Sequence, residues 1–209
     1  MSSTGLTGRV TLFGLALILA GCGFGHVPAS PTYLDLGAPP VASAQRSPSL
    51  PMQPTQATLP ALALSTVVTS GTLSDTGVIW RLGPDGHPNT YATVRWTATP
   101  AALVRERLYS KLSQQGPVVS EPLSANMPQL KVALLQFEQI YAPDGSGSDA
   151  VITLQALLVT GTRVQGPYGV TERVPATQNN AVAGAQALRI ATDRAVQSVA
   201  QWLAQTISP

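Results

Sequence analysis

The 209-residue chain contains one cysteine, Cys22, two histidines, His26 and His87, and only 11% charged residues. A single thiol forms no intrachain disulfide and cannot assemble a structural zinc site from several thiolates. The few charges nearly cancel, with 12 Lys and Arg against 10 Asp and Glu. That balance excludes nucleic acid as a main partner, because phosphate neutralisation needs clustered Lys and Arg in strong excess. His26 follows Cys22 by four residues, His87 lies in a turn between prolines, and no Gly-x-Ser-x-Gly elbow precedes either, so a Ser-His-Asp enzyme has no framed base. Apolar residues supply 44% of the chain, while Pro and Gly number 18 each. This is enough for one packed domain with appendages, and it is neither a collagen-like nor a wholly disordered composition.

The chain has one long uncharged apolar run, Val10 to Ala20, preceded by Arg9. Eleven helical residues rise about 16 Å, roughly half of a bilayer's hydrocarbon thickness, so the run has the length of a secretory signal peptide and not of a membrane span. It ends in Leu19-Ala20-Gly21-Cys22. This tetrapeptide resembles the bacterial lipobox, in which a peptidase cuts before the cysteine and the thiol carries diacylglycerol. The resemblance implies that residues 1–21 are removed and that Cys22 is the acylated first residue of the mature protein, bearing fatty chains such as palmitate. Several chains hold a protein stably at a membrane it does not cross. An Asp after the cysteine tends to retain such lipoproteins in the inner membrane; Gly23 stands there instead, so the outer membrane, facing the periplasm, is expected.

Residues 22–32 form a lipidated tether, and residues 33–58 a short strand followed by a Pro-rich linker. Tyr33-Leu34-Asp35-Leu36 alternates like an edge strand. Gly37 to Thr58 carries five prolines and one charge, Arg46. It has too little apolar surface to order itself and reads as an extended linker or surface loop. Residues 59–209 form the domain. Val78–Leu82 and Tyr91–Trp96 flank a turn, Gly83 to Pro88, and predict a hairpin. Thr99 with Pro100 opens a helix whose apolar face is Leu103, Val104, Leu108 and Leu112, stopped by Gly116-Pro117. Strands are predicted over 130–141 and 151–160, with a shorter outer strand over 170–174. In the second, Ile152, Leu154, Ala156 and Leu158 share one face. A helix is predicted from Val182 to Ile207, with Leu188, Ala191, Ala195, Val199, Trp202 and Leu203 inward and many alanines allowing close approach to a sheet. The fold class is α/β, a single domain with a mixed, mainly antiparallel sheet packed by at least two helices.

Asp144-Gly145-Ser146-Gly147-Ser148-Asp149 has the Asp-x-Ser-x-Ser pattern of integrin-type cation sites, yet the residues after it alternate as a strand where such a site opens a helix. As a calcium loop it has Asp149 where glycine is required and Gln155 where a bidentate glutamate is required. A solvated turn between two antiparallel strands accounts for it. Gly161-Thr162-Arg163-Val164-Gln165-Gly166 has no Lys-Ser or Lys-Thr pair and reads as another strand-to-strand turn. Trp80, Trp96 and Trp202 fall in regular elements and are expected in the core, and Arg95 is expected as a solvated arginine on a half-buried strand. No catalytic, cofactor-binding or metal-binding residue is expected; the one group with a specific chemical fate is the Cys22 thiol.

The order of these features resembles the ABC-type transport auxiliary lipoprotein family, which includes the paraquat-inducible protein C lipoproteins. The matching pieces are the lipobox Leu19 to Cys22, Tyr33-Leu34-Asp35-Leu36, Val78-Ile79-Trp80-Arg81, and Arg95-Trp96 shortly before the helix Leu103 to Leu112. Phe137-Glu138-Gln139, Ala150 to Leu158, and a last helix closing on Trp202-Leu203 complete the series. The resemblance implies a non-enzymatic, periplasm-facing lipoprotein that works beside an ATPase, a permease and an MCE-domain lipid-binding protein. Together these move lipids or other hydrophobic molecules between two membranes. Its implied partners are the MCE-domain protein and, through the lipid anchor, the membrane; whether the chain also pairs with itself as a homo-oligomer is open in the sequence. A structural envelope lipoprotein, anchoring a secretion or other cell-envelope assembly, fits the same features. The Pro-rich stretch departs from the family pattern. Its 22 residues reach about 70 Å when extended, a length that adds to the tether only if residues 33–36 are unpaired.

Overall fold

The computed structural model describes residues 30–39, 59–69 and 71–207. The leader, Cys22, His26 and residues 40–58 of the Pro-rich stretch lie outside the described residues. The described chain begins with the strands β1 (Thr32–Leu34), β2 (Leu62–Leu64), β3 (Gly77–Leu82) and β4 (Asn89–Trp96). A helical period then gives α1 (Pro100–Ser113). The strands β5 (Val118–Val119), β6 (Gln129–Tyr141), β7 (Ser148–Thr160) and β8 (Arg163–Pro175) follow, and α2 (Ala181–Ile207) closes the domain.

The long strand β6 is the spine of one mixed eight-stranded sheet. One of its edges pairs antiparallel with the whole of β7, from Gln129 opposite Val159 to Tyr141 opposite Ser148. Two parallel strands share its other edge: β2 lies beside the start of β6, and β3 lies beside its end, with Trp80 opposite Gln139. Outward from these, β8 pairs with β7 and β4 with β3 in antiparallel fashion, while β1 joins β4 and β5 joins β2 in parallel. The three long pairings are antiparallel, as expected for hairpins with short turns.

Ile152, Leu154, Ala156 and Leu158 are all buried beneath α2, which crosses β6, β7 and β8 and packs against α1. The N-terminus of α1 follows the predicted cap, the Ala102 amide donating to Thr99 Oγ1 at 3.4 Å with Pro100 in the first turn. Asn180 caps α2 in the same way, accepting from the Ala183 amide at 2.9 Å.

Two expectations need correction. The outer strand runs from Arg163 to Pro175, well beyond 170–174, so the turn is confined to Gly161-Thr162. Between the pairs Leu158–Gln165 and Ala156–Tyr168, two residues of β8, Gly166 and Pro167, oppose the single Leu157. This bulge shifts the alternation by one residue and hides the strand's first half from pattern reading. Trp80 is likewise not a core residue: it is half-buried against Tyr91 and Tyr141, whereas Trp96 is 1% exposed and packs on Phe137. Trp202 lies at the margin of the core, stacked on Tyr168 with ring centroids 5.2 Å apart.

One glycine in α2 is set by the sheet. A Cβ on Gly184 would lie 2.0 Å from Oε1 of the buried Gln139. Gln139 cannot retreat without breaking its hydrogen bonds to Tyr91 and Ser148. Gly184→Ala is expected to lower stability by about 2 kcal/mol despite alanine's better helix propensity. Urea unfolding of the two proteins checks this, and a stabilised variant would contradict the packing described.

Candidate functional site

The chain enters the sheet through β1 and leaves it through a reversal that α1 holds shut. Leu36 is buried, and the amide of Gly37 donates to Asp35 Oδ1 at 2.7 Å. Gly37 has φ +65, a left-handed conformation that glycine adopts without strain, and the Arg189 guanidinium packs over it. The Arg107 side chain, only 3% exposed, reaches into the reversal from α1. It donates to the carbonyls of Leu36, of Gly37 at 2.7 Å and of Ala38 at 3.0 Å. Its charge is met by Asp193 of α2, with nitrogen and oxygen 3.3 Å apart. Burial lowers the pKa of Arg107, an effect that Asp193 opposes and Arg189 adds to. Burial likewise holds the Asp193 carboxyl above the usual range, against the pull of Arg107 and Arg189.

A second charged pair lies across the sheet. Arg81 Nε and Nη2 both approach Glu138 Oε2 at 2.7 Å, and Arg81 Nη1 donates to the Gly86 carbonyl at 3.0 Å. Gln136 donates to the other Glu138 oxygen at 2.6 Å and accepts from Thr153 at 3.2 Å. These residues line a cleft of about 330 Å³ in which each charge is matched by a neighbour. The arrangement fixes where β3 meets β6.

At the end of the sheet where β3 and β6 terminate, Tyr91 donates to Gln139 Oε1 at 2.9 Å and lies 2.5 Å from the Tyr141 hydroxyl, which therefore serves as donor to it. Burial and the bond to Tyr141 push the Tyr91 phenol upward, so it stays protonated. Trp80 closes over both rings, 6.2 Å from Tyr91 and 5.8 Å, edge-on, from Tyr141.

Cys22, the lipidation site read from the sequence, lies outside the described residues together with His26. His87 is exposed in the β3–β4 loop. Residues 142–147 form the turn between β6 and β7, with Asp144 accepting from the Ser146 amide at 3.0 Å and held by that bond below the usual carboxylate range. Asp149 faces away from the turn toward Arg173, 3.0 Å distant. Arg95 is not a free surface arginine: it is half-buried and donates to the carbonyls of Tyr91 and Val94. Sequence reasoning missed Arg107 altogether. The available signal is its position, since it lies four residues after Leu103 and three after Val104, on the apolar stripe of α1, where a cation must find buried partners.

The family described as ABC-type transport auxiliary lipoprotein component matches residues 43–201. No curated protein is similar to the chain in sequence. Among solved structures, an uncharacterised protein superposes with a TM-score of 0.63 at 15% identity, covering 83% of this chain and 99% of its own. A Xanthomonas campestris protein assigned to the family DUF330 gives 0.63 at 18% identity, covering 74% of this chain and 90% of its own. At such identities the likeness is one of fold. Among the described residues no helix is long and apolar enough to cross a membrane.

Replacing Arg107 by Met keeps the stem but leaves three carbonyls and Asp193 without their donor, with an expected loss of about 3 kcal/mol in urea unfolding. Amide exchange over residues 34–38 should accelerate more than exchange in β6 and β7. Equal acceleration everywhere would show that Arg107 does not hold this segment. The milder substitution Arg107→Lys should recover only part of the loss, because an ammonium is a compact charge without the planar fork.

The raised Asp193 pKa has a pH consequence of definite sign. Between the ordinary carboxylate value and the raised one, the folded state binds this proton and the unfolded state does not. Asp193 therefore contributes stability as pH falls through that window and loses it as pH rises. The stability of the parent protein relative to Asp193→Asn should increase from about pH 7 to about pH 4, measured by urea unfolding. A decrease would mean that attraction to Arg107 outweighs burial.

Proposed function

The chain belongs to the ABC-type transport auxiliary lipoprotein family, and from that premise we propose that it is the membrane-moored auxiliary of a system that carries lipids or other hydrophobic molecules between two membranes. In this reading Cys22 carries acyl chains in the outer membrane and the domain faces the periplasm. One surface of the domain receives an MCE-domain protein, so that the transport path meets the bilayer. The role is non-catalytic and consists of holding a partner at a fixed place.

The observation that carries this reading is the family match, which spans most of the described domain from β2 through α2. The geometry agrees with a mooring role. Each charged group in the interior is matched, and β1 with the Arg107 clasp gives the incoming chain a firm attachment. Each acyl methylene buried in a bilayer contributes about 0.8 kcal/mol, so several chains suffice to hold the domain at the surface. Gly23 favours the outer membrane over retention in the inner one.

The test is made in the native host with the full-length chain. Parent protein is expected with outer membranes and to co-purify with an MCE-domain protein. The variant Cys22→Ala is expected to leave the membrane fraction and to abolish transport. Recovery of Cys22→Ala with outer membranes and intact transport would refute mooring. Co-purification with secretion components in place of an MCE-domain protein would refute the transport assignment.

A further inference from the structure

The register of β1 determines from which side the tether approaches. β1 is parallel to β4, and β4 is antiparallel to β3, so a chain entering at Thr32 comes from the end of the sheet at which β3 and β6 terminate. Tyr33 is level with Arg95, and Arg95 with Gly77. Five residues separate Gly77 from Leu82, so that end lies about 16 Å beyond Tyr33. Between Cys22 and β1 stand only Gly23 to Pro31, whose full reach is about 30 Å. Cys22 is eleven residues before Tyr33, at most about 40 Å of extended chain, so the tether lets the anchor lie no more than about 23 Å beyond this end of the sheet.

This same end is apolar and aromatic on its surface. Leu82 is 54% exposed, Trp80, Tyr91 and Tyr141 are half-buried around it, and Pro84 and Pro143 project from the two adjoining turns. The exposed charges of those turns, Asp85 and Asp144, are acidic, and the nearby cation Arg173 is already matched by Asp149. Tryptophan suits a bilayer's interfacial region, where its ring meets apolar chains while its N–H stays hydrated.

We propose that this end of the domain rests in the headgroup region of the bilayer, making a second contact beside the acyl chains. The proposal deepens the mooring reading and depends on acylation of Cys22. Trp80 and Leu82 enter the interface, and because Asp85 and Asp144 disfavour an anionic surface, the ligand is a zwitterionic phospholipid such as phosphatidylethanolamine. The acyl chains hold the domain to the membrane while the aromatic end sets its tilt, directing the opposite end of the sheet, with the start of β6 and the β7–β8 turn, away from the bilayer.

The experiment uses the full lipoprotein purified from its native host and reconstituted in phosphatidylethanolamine vesicles brominated high on their acyl chains. Bromine quenches tryptophan emission only at short range. Quenching is expected in the parent and in Trp202→Phe, and is expected to disappear in Trp80→Phe. Leu82→Asp, a surface change that spares the core, is expected to reduce quenching while the protein still floats with the vesicles. Replacing half of the lipid by phosphatidylglycerol should weaken quenching further. An acylated protein, verified by mass spectrometry of the same sample, whose quenching is absent or unaffected by Trp80→Phe would overturn the contact and leave the anchor intact. A bare Cys22 thiol would overturn the anchor itself and this inference with it.

Discussion

The attachment of the chain's N-terminal side to the domain depends on one buried guanidinium. β1 is three residues long and among the described residues pairs on one side only, and so short an edge strand does not hold by its own ladder. Arg107 supplies what the ladder lacks, because its planar fork meets three successive carbonyls at once and Asp193 balances its charge from the second helix. Sheet edge, α1 and α2 thereby become a single unit at the point where the chain turns away from the sheet. Neither charge is comfortable there: burial weakens the hold of each on its ionised form. The pair is thus better understood as a device for position than as a source of stability.

Much of the fold was legible because it is built from local pattern. The β3–β4 hairpin, the Thr99 cap, the even-numbered face of β7 and the alanine-rich stripe of α2 all follow periods of two or 3.6 residues that no distant partner has to complete. The missed parts depend on such partners. β2 and β5 are three and two residues long and exist only because β2 finds the early part of β6. In β6 the extra residue at Leu135, 57% exposed, shifts the alternation by one and returns Phe137 to the core. In β8, Gly166 and Pro167 read as the punctuation of a turn, although the strand runs through them.

The functional residues divide in the same way. The proposal for Cys22 was legible because it rests on immediate neighbours alone, and the residue lies outside the described ones. Arg107 was not, since its partners come from a segment about seventy residues earlier and from the other helix. Trp80 sits in a strand as expected, but strand membership does not say whether a ring faces the interior; Tyr91 and Tyr141 decide that by placing it at the rim. Arg95 looked solvated because a single charge on a strand usually is, whereas the bend of β4 brings the carbonyls of Tyr91 and Val94 back toward it.

The firm seat of β1 changes the meaning of the Pro-rich segment. Ala38 is bound by Arg107 in the middle of α1, and the Leu59 amide donates to the Gln115 carbonyl just past the end of the same helix. The described residues on either side of 40–58 are therefore both held at one helix and its immediate C-terminal extension. Doubling the number of residues between two fixed points costs only about 0.6 kcal/mol of closure entropy, so a change in chain length between Ala38 and Leu59 is expected to cost the fold little. On the proposed mooring at Cys22, the nine residues before β1 would have no such freedom, because each one added or removed changes how far the domain can stand from the membrane.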